Sequence, residues 1–416
     1  MAVDNAALSR SSPDLALFSY GFRPFFLGAG AYAVLAMAIW IAWIWTQDPA
    51  WATSRGSPFA WHAHEMVFGF GVAAVAGFLL TAVPNWTGAL PLSGRPLMLL
   101  FAVWLAGRVA MNASGVLPGS LVATIDLAFV PLLGVLAARQ LLVKPAPRNF
   151  IFLVLLAALT ACNAAYHLAA SGMISSDEMA GVRLGLMLLV LMIAIVGGRI
   201  VPAFTHNWLH LNAPAGGMPR RYLLLDGVAI ASVALFILLQ IIPATAALAG
   251  SLALAAAFAN GARLVLWRGW AAWRAPIVWI LHLGYAWLVV GLAMAGAAAF
   301  STQVPSALAA HAFGTGAVGT MVLAIMTRAS LGHTGRPLVA AKPIVWAYGF
   351  ITLAAVLRTF GVLLAPAHYK EILVAAGLAW IAAFAVFVSV YAPILVGPRV
   401  TSKVSQLVLR QYTPET

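Results

Sequence analysis

Charge is what this chain has least of: 8% of its 416 residues are Asp, Glu, Lys or Arg, and Asp and Glu together number 10. A soluble domain carries about 25% charged residues, so a water-facing globular fold is excluded and a bilayer-embedded one is implied. Cysteine is nearly missing too. Cys162 stands alone, which rules out a disulfide framework, a thiolate zinc cage, an Fe–S cluster and the Cys-x-x-Cys-His attachment of c-type haem. The formal net charge is +13, yet no Lys/Arg block of the kind that grips nucleic acid occurs. Residues 1–20 lack a basic-then-apolar leader, so the first membrane span is expected to direct the chain to the bilayer itself.

What the chain has is hydrophobic length: 63% of its residues are hydrophobic and its mean hydropathy is +0.98. A membrane-crossing helix needs about 20 mostly apolar residues. Twelve segments meet that, near 25–46, 62–84, 95–113, 120–142, 149–170, 179–201, 221–242, 245–267, 276–300, 305–328, 342–364 and 369–395. The expected fold is all-α and polytopic, with a segment at 1–24, a twelve-helix membrane domain at 25–395 and a tail at 396–416. Of the 23 Lys and Arg, all but Arg55, Arg108, Arg183, Arg358 and Lys370 fall on one side, which predicts that both termini are cytoplasmic. The other side, the outer one, keeps those few. Similar polar turns follow spans two, six and ten: Thr81–Trp86, Arg199–Pro202 with Asn207 and Trp208, and Thr334–Leu338, the last close to Ser93–Leu97. A threefold repeat of four helices would place spans two, six and ten around one axis.

Titratable side chains inside membrane segments are costly and mark functional candidates. Trp61-His62-Ala63-His64-Glu65-Met66 opens span two, and His311 opens span ten. His62 and His64 point roughly 200° apart on a helix, so they cannot chelate one ion together. One of them is expected to face His311 across a metal centre; Gly71 on the face of His64 tips that choice towards His64. Glu65 would fix a histidine tautomer, with Met66 beside it. His167, one turn after Asn163, is a weaker candidate at the same outer end, and Asp126 is a lone carboxylate in span four. Against this stands the plainer reading of an interfacial turn with Trp61 in the aromatic belt. His282 in span nine is as well explained by a buried hydrogen bond as by a second centre. His206 and His210 have a chelating i, i+4 spacing, but a loop location favours solvation. Gly314-x-Gly316-x-x-Gly319 is not a nucleotide fingerprint, because no strand precedes it; it serves helix packing or leaves a slot for a flat cofactor.

These residues resemble the NnrS family of bacterial inner-membrane proteins. The resemblance runs through Phe22–Phe26, Trp61–Met66, Gly77–Ala82, Gly197–Pro202, His311–Thr320 and Met326–Arg336. It implies a twelve-helix inner-membrane protein containing haem, here haem b, and copper, and acting in nitric oxide or nitrosative stress and denitrification. Twelve helices with histidines on spans two and ten are also similar to the catalytic subunit of haem–copper oxidases, although spans six and seven lack histidine within the membrane, so the oxidase copper site does not carry over. The family's motifs do not assign the ligands; the residues favour an outer haem held by His311 and either His62 or His64, with Arg108 available to a propionate, His282 or His206 at a second centre, and His167 as a further metal candidate. Nitric oxide or another small gas would be the ligand, a quinol or redox protein the electron donor, and whether turnover makes it an oxidoreductase stays open. The competing readings are a proton-coupled transporter and a haem or copper sensor or delivery protein without turnover.

Overall fold

The computed structural model describes residues 13–47, 57–213, 217–242 and 245–400. Arg10, Arg55, Lys403 and Arg410 lie outside the described residues, as do the first half of the expected 1–24 segment and most of the 396–416 tail. Among the described residues twelve long helices build the bundle: α1 (Phe22–Thr46), α2 (Pro58–Thr87), α3 (Gly94–Asn112), α4 (Gly119–Leu141), α5 (Pro147–Ala170), α6 (Glu178–Asn212), α7 (Leu223–Leu239), α8 (Ala246–Leu266), α9 (Pro276–Phe300), α10 (Ser306–His333), α11 (Lys342–Leu364) and α12 (Pro366–Val396). No strand occurs among the described residues. All but α7 are long and apolar enough to cross a bilayer. The choice of helix follows from the solvent: lipid offers no hydrogen bonds, so every backbone group must be satisfied within its own segment. Proline opens α2, α5 and α9, where its fixed φ and missing N–H cost nothing.

Two helices run past their expected ends. α6 continues through Pro202 to Asn212, so His206 and His210 sit on helix and not in a loop. α10 likewise extends to His333. Pro202 does not end α6, because a proline removes one backbone bond and membrane helices tolerate that loss where neighbours cover the freed carbonyl.

Burial separates centre from rim. The apolar window of α2 is 78% buried and those of α6 and α10 are 67%, against 33% for α4 and α5. These three central helices meet around an apolar cavity of about 70 Å³, walled by Val75, Leu189, Met192, Met321 and Val322. Around them the rim closes through the pairs α4–α5, α8–α9 and α12–α1. Spans two, six and ten thus share one axis, as a threefold four-helix repeat requires.

At one end of the bundle three helices loosen into wider π-helical turns: Glu65–Gly71 in α2, Ala312–Gly319 in α10 and Leu357–Gly361 in α11. Such turns carry an extra residue at a cost in regularity and concentrate at functional sites. Two of them begin directly after His64 and His311.

Candidate functional site

A small cavity lies where the loosened turns of α10 and α11 meet the helical segment that precedes the third. His62 reaches it from α2, His311 and Thr315 from α10, Arg358 from α11, and Met37, Trp40 and Trp380 complete the wall. Its volume is about 40 Å³, room for an ion with a small ligand, since one water needs about 10–15 Å³. Both imidazoles are half-buried. The Nδ1 of His311 lies 2.7 Å from the carbonyl of Ala307, one turn back, and donates to it. That bond fixes the tautomer and leaves Nε2 as a bare acceptor, the state of a metal-ligating histidine. His62 lies flat against Trp40, with ring centroids 4.3 Å apart and planes 9° from parallel. Its Nδ1 is buried and has no hydrogen-bond partner. Two imidazoles and the Met37 thioether make a donor set suited to copper.

A porphyrin does not fit there. The cavity is far below the roughly 300–1,000 Å³ of pockets that take even drug-sized ligands. The glycine face of α10 offers no slot either: Gly316 packs under the Trp287 indole and Gly319 under Trp380, so that a methyl group added at either would strike a ring. Gly316 and Gly319 serve close helix packing.

His64 points the other way, into a buried polar network that joins five helices. Its Nδ1 lies 2.8 Å from Glu65 Oε1, and its Nε2 lies 2.8 Å from Asn163 Oδ1 and 3.3 Å from Asp126 Oδ2. His167 Nε2 is 3.0 Å from the same Asp126 oxygen, and the Asn163 amide donates to it at 2.8 Å. Arg108 donates to both Glu65 oxygens at 2.6 and 2.7 Å and also to Asp126 Oδ1. The Tyr32 hydroxyl donates to Glu65 Oε2 and accepts from Asn112 at 3.1 Å. Gly69 makes the close approach possible, because a side chain there would meet Tyr32, Arg108 and Glu65. His64, Glu65 and Asp126 are essentially without solvent exposure. Carboxylates buried this deeply persist only when paired and fully hydrogen-bonded.

The family model described as NnrS protein matches residues 16–399, nearly the whole chain. The chain belongs to the NnrS family. No curated protein matches it. In this NnrS chain His62, not His64, shares a cavity with His311, which reverses the preference drawn from Gly71; that glycine packs against Leu189. Arg108, expected near a propionate, is held by Glu65 and Asp126 and is absent from the cavity wall. Met66 packs against the hydrophobic core.

The other candidate histidines, His282, His206 and His210, lie towards the opposite end. His282 sits 2.8 Å by Nε2 from the Thr205 hydroxyl, with its Nδ1 unpartnered and Trp267 beside it. His206 and His210 are exposed on the extension of α6, their rings parallel and 6.2 Å apart. Neither joins a third metal-binding side chain; among the described residues only His64, Asp126 and His167 form such a group. Sequence reasoning missed Met37, Trp40, Thr315 and Arg358. Only Arg358 left a signal, as one of the few basic residues on the outer side.

Proposed function

We propose that this NnrS-family membrane protein acts in the response to nitric oxide by binding the gas, or the nitrite anion derived from it, at a copper ion held between His62 and His311. The observation that supports this reading is the cavity itself: two imidazoles from separate central helices face one small space, with one tautomer fixed and the other ring's nitrogen unpartnered. The bound ion would supply a redox-active centre with an open position for a diatomic ligand. The rest falls to the chain. His311 is aimed by the Ala307 carbonyl, His62 is clamped by Trp40, and the Arg358 guanidinium favours an anion on the open side. Trp40 and Trp380 keep bulk water out, and Met37 offers a soft donor that suits the reduced ion. The orientation expected from the basic residues places this cavity at the periplasmic face of the inner membrane. Electrons for any turnover would come from a quinol or a redox protein.

The test is metal content and optical and electron paramagnetic resonance spectra of purified protein, before and after nitric oxide. The reading expects copper together with a nitric oxide-dependent change, both lost from the cavity in His311→Ala and His62→Ala. A Soret band that these substitutions abolish would replace the single ion by haem. A nitric oxide response indifferent to both substitutions would remove this cavity from the function.

A further inference from the structure

The network around His64 gathers acceptors about one ring nitrogen, which calls for a positive element there, a proton or a second cation. Asn163 is oriented by its own bond, because its amide nitrogen donates to Asp126 Oδ2 at 2.8 Å. Its Oδ1 therefore faces His64 Nε2, at 2.8 Å. On the other side of the ring, Nδ1 donates to Glu65 Oε1 at 2.8 Å. A neutral imidazole donating through Nδ1 offers only a lone pair at Nε2. That lone pair would look at an amide oxygen and, 3.3 Å away, a carboxylate oxygen, all three of them acceptors. His167 brings a fourth ligand atom to the same place, 3.0 Å from Asp126 Oδ2. Something positive belongs at the point where these atoms converge.

We propose that His64 Nε2, His167 Nε2 and Asp126 Oδ2 bind a divalent first-row transition ion, with Asn163 Oδ1 as the fourth donor. The spacing fits. Ligands at about 2.0–2.1 Å around a tetrahedral ion lie roughly 3.3 Å from one another, against 3.0 and 3.3 Å here; the three ligand atoms all lie within 4.8 Å of one another, while Asn163 Oδ1, 2.8 Å from His64 Nε2, has to draw back a few tenths of an ångström to coordinate. The surroundings are those of a metal site as well. Glu65 holds the far nitrogen of His64, the carboxylate–histidine–metal arrangement that fixes tautomer and ring angle. Arg108 binds the Asp126 oxygen that the ion leaves free. Nitrogen and oxygen donors without thiolate select zinc, iron or copper, not calcium or magnesium. His167 is the one half-buried member, near the end of α5, and gives the ion its route from the aqueous side. The proposal does not rest on the His62–His311 reading, since no ligand is shared.

The experiment uses the full-length protein in detergent, stripped with a chelator and titrated with Co²⁺, whose visible d–d absorption reports tetrahedral coordination. It is run on His62→Ala/His311→Ala protein, so that the small cavity cannot contribute. One tight equivalent with intense visible bands is expected, and His167→Gln, which touches neither Arg108 nor Glu65, should remove it. In a Cys162→Ala background, His167→Cys should restore binding and add a sulfur-to-cobalt charge-transfer band, a signature that a purely structural histidine would not produce. Absence of Co²⁺ binding by the folded double variant, or an unchanged Co²⁺ spectrum in His167→Gln, would overturn the proposal; the positive element at Nε2 would then be a proton.

Discussion

His62 and His64 lie two residues apart, yet the structure treats them as opposites. His64 has a partner on each ring nitrogen and sits in a network that ties α1 through α5 together. His62 has an indole against its face, an unpartnered nitrogen and a small void. One side chain is part of what holds the bundle together, and the other is held in place by it. The difference teaches that a histidine-rich motif can send its members to two separate environments, one charged and networked, the other aromatic and open, simply through helical geometry.

The sharpest test of that contrast is Arg108→Met, which leaves Glu65 and Asp126 buried without their guanidinium. A loss of about 3–5 kcal/mol is expected, seen as a lower thermal midpoint and less folded protein in detergent, while His62→Ala should shift stability by less than about 1 kcal/mol. Equal effects from the two substitutions would erase the distinction. Tyr32→Phe probes the same network more gently. It removes one of two bonds to Glu65 Oε2, which keeps Arg108, and one of two from the Asn112 amide, which keeps the Arg108 carbonyl, for an expected cost of about 1–2 kcal/mol in the same melt. On the other face, Trp40→Phe keeps an aromatic ring but loosens the clamp on His62; metal affinity at the cavity should fall about tenfold, measured by competition with a chelator, at little cost in stability.

The smallest effect is expected at a solvent-facing carboxylate of the same end. Asp177 caps α6 by accepting from the Met179 amide at 2.9 Å, and it pairs with exposed Arg183 at 2.8 Å. The Met179 N–H holds its carboxyl below the ordinary value. A depressed folded pKa gives stability that is present at neutral pH and lost as pH falls through the folded value. Asp177→Ala should therefore cost about 1 kcal/mol near neutrality, and the gap between variant and parent should close in acid. A gap that persists there would show that the cap acts through something other than its charge.

Much of the architecture was legible because membrane helices announce themselves by length and hydropathy. The twelve expected segments correspond one for one to α1–α12, and α9 and α11 agree to the residue. Helix ends were less legible: expected segments close at residues 84 and 201, yet α2 and α6 carry on through Pro84 and Pro202. The opposed directions of His62 and His64 followed from helical geometry alone, and so did the placing of both at the end shared with His311. The partners did not. Asp126 and Arg108 are separated from His64 by dozens of residues, and nothing local in their segments says that five helices bring them to one point. Trp40 and Met37 look like ordinary lipid-soluble residues until packing places them beside His62. Polar residues in apolar segments reveal that a site exists, but its walls come from tertiary contacts that a linear pattern does not encode.

The loosened turn at Glu65–Gly71 has a consequence for how this site is aimed. A π-turn amounts to one residue inserted into an α-helix, and each residue advances the helix by about 100°. Everything before the turn, His62 and His64 included, is thus rotated by that angle relative to the lower part of α2. The insertion works like an indexing step on a dial. Removing one residue from 65–71 would restore a regular helix and leave the core below Gly71 in register, but it would swing His62 off the cavity and His64 out of the carboxylates in a single stroke. The two histidines are therefore coupled by one mechanical setting, and neither face can be re-aimed while the other stays put.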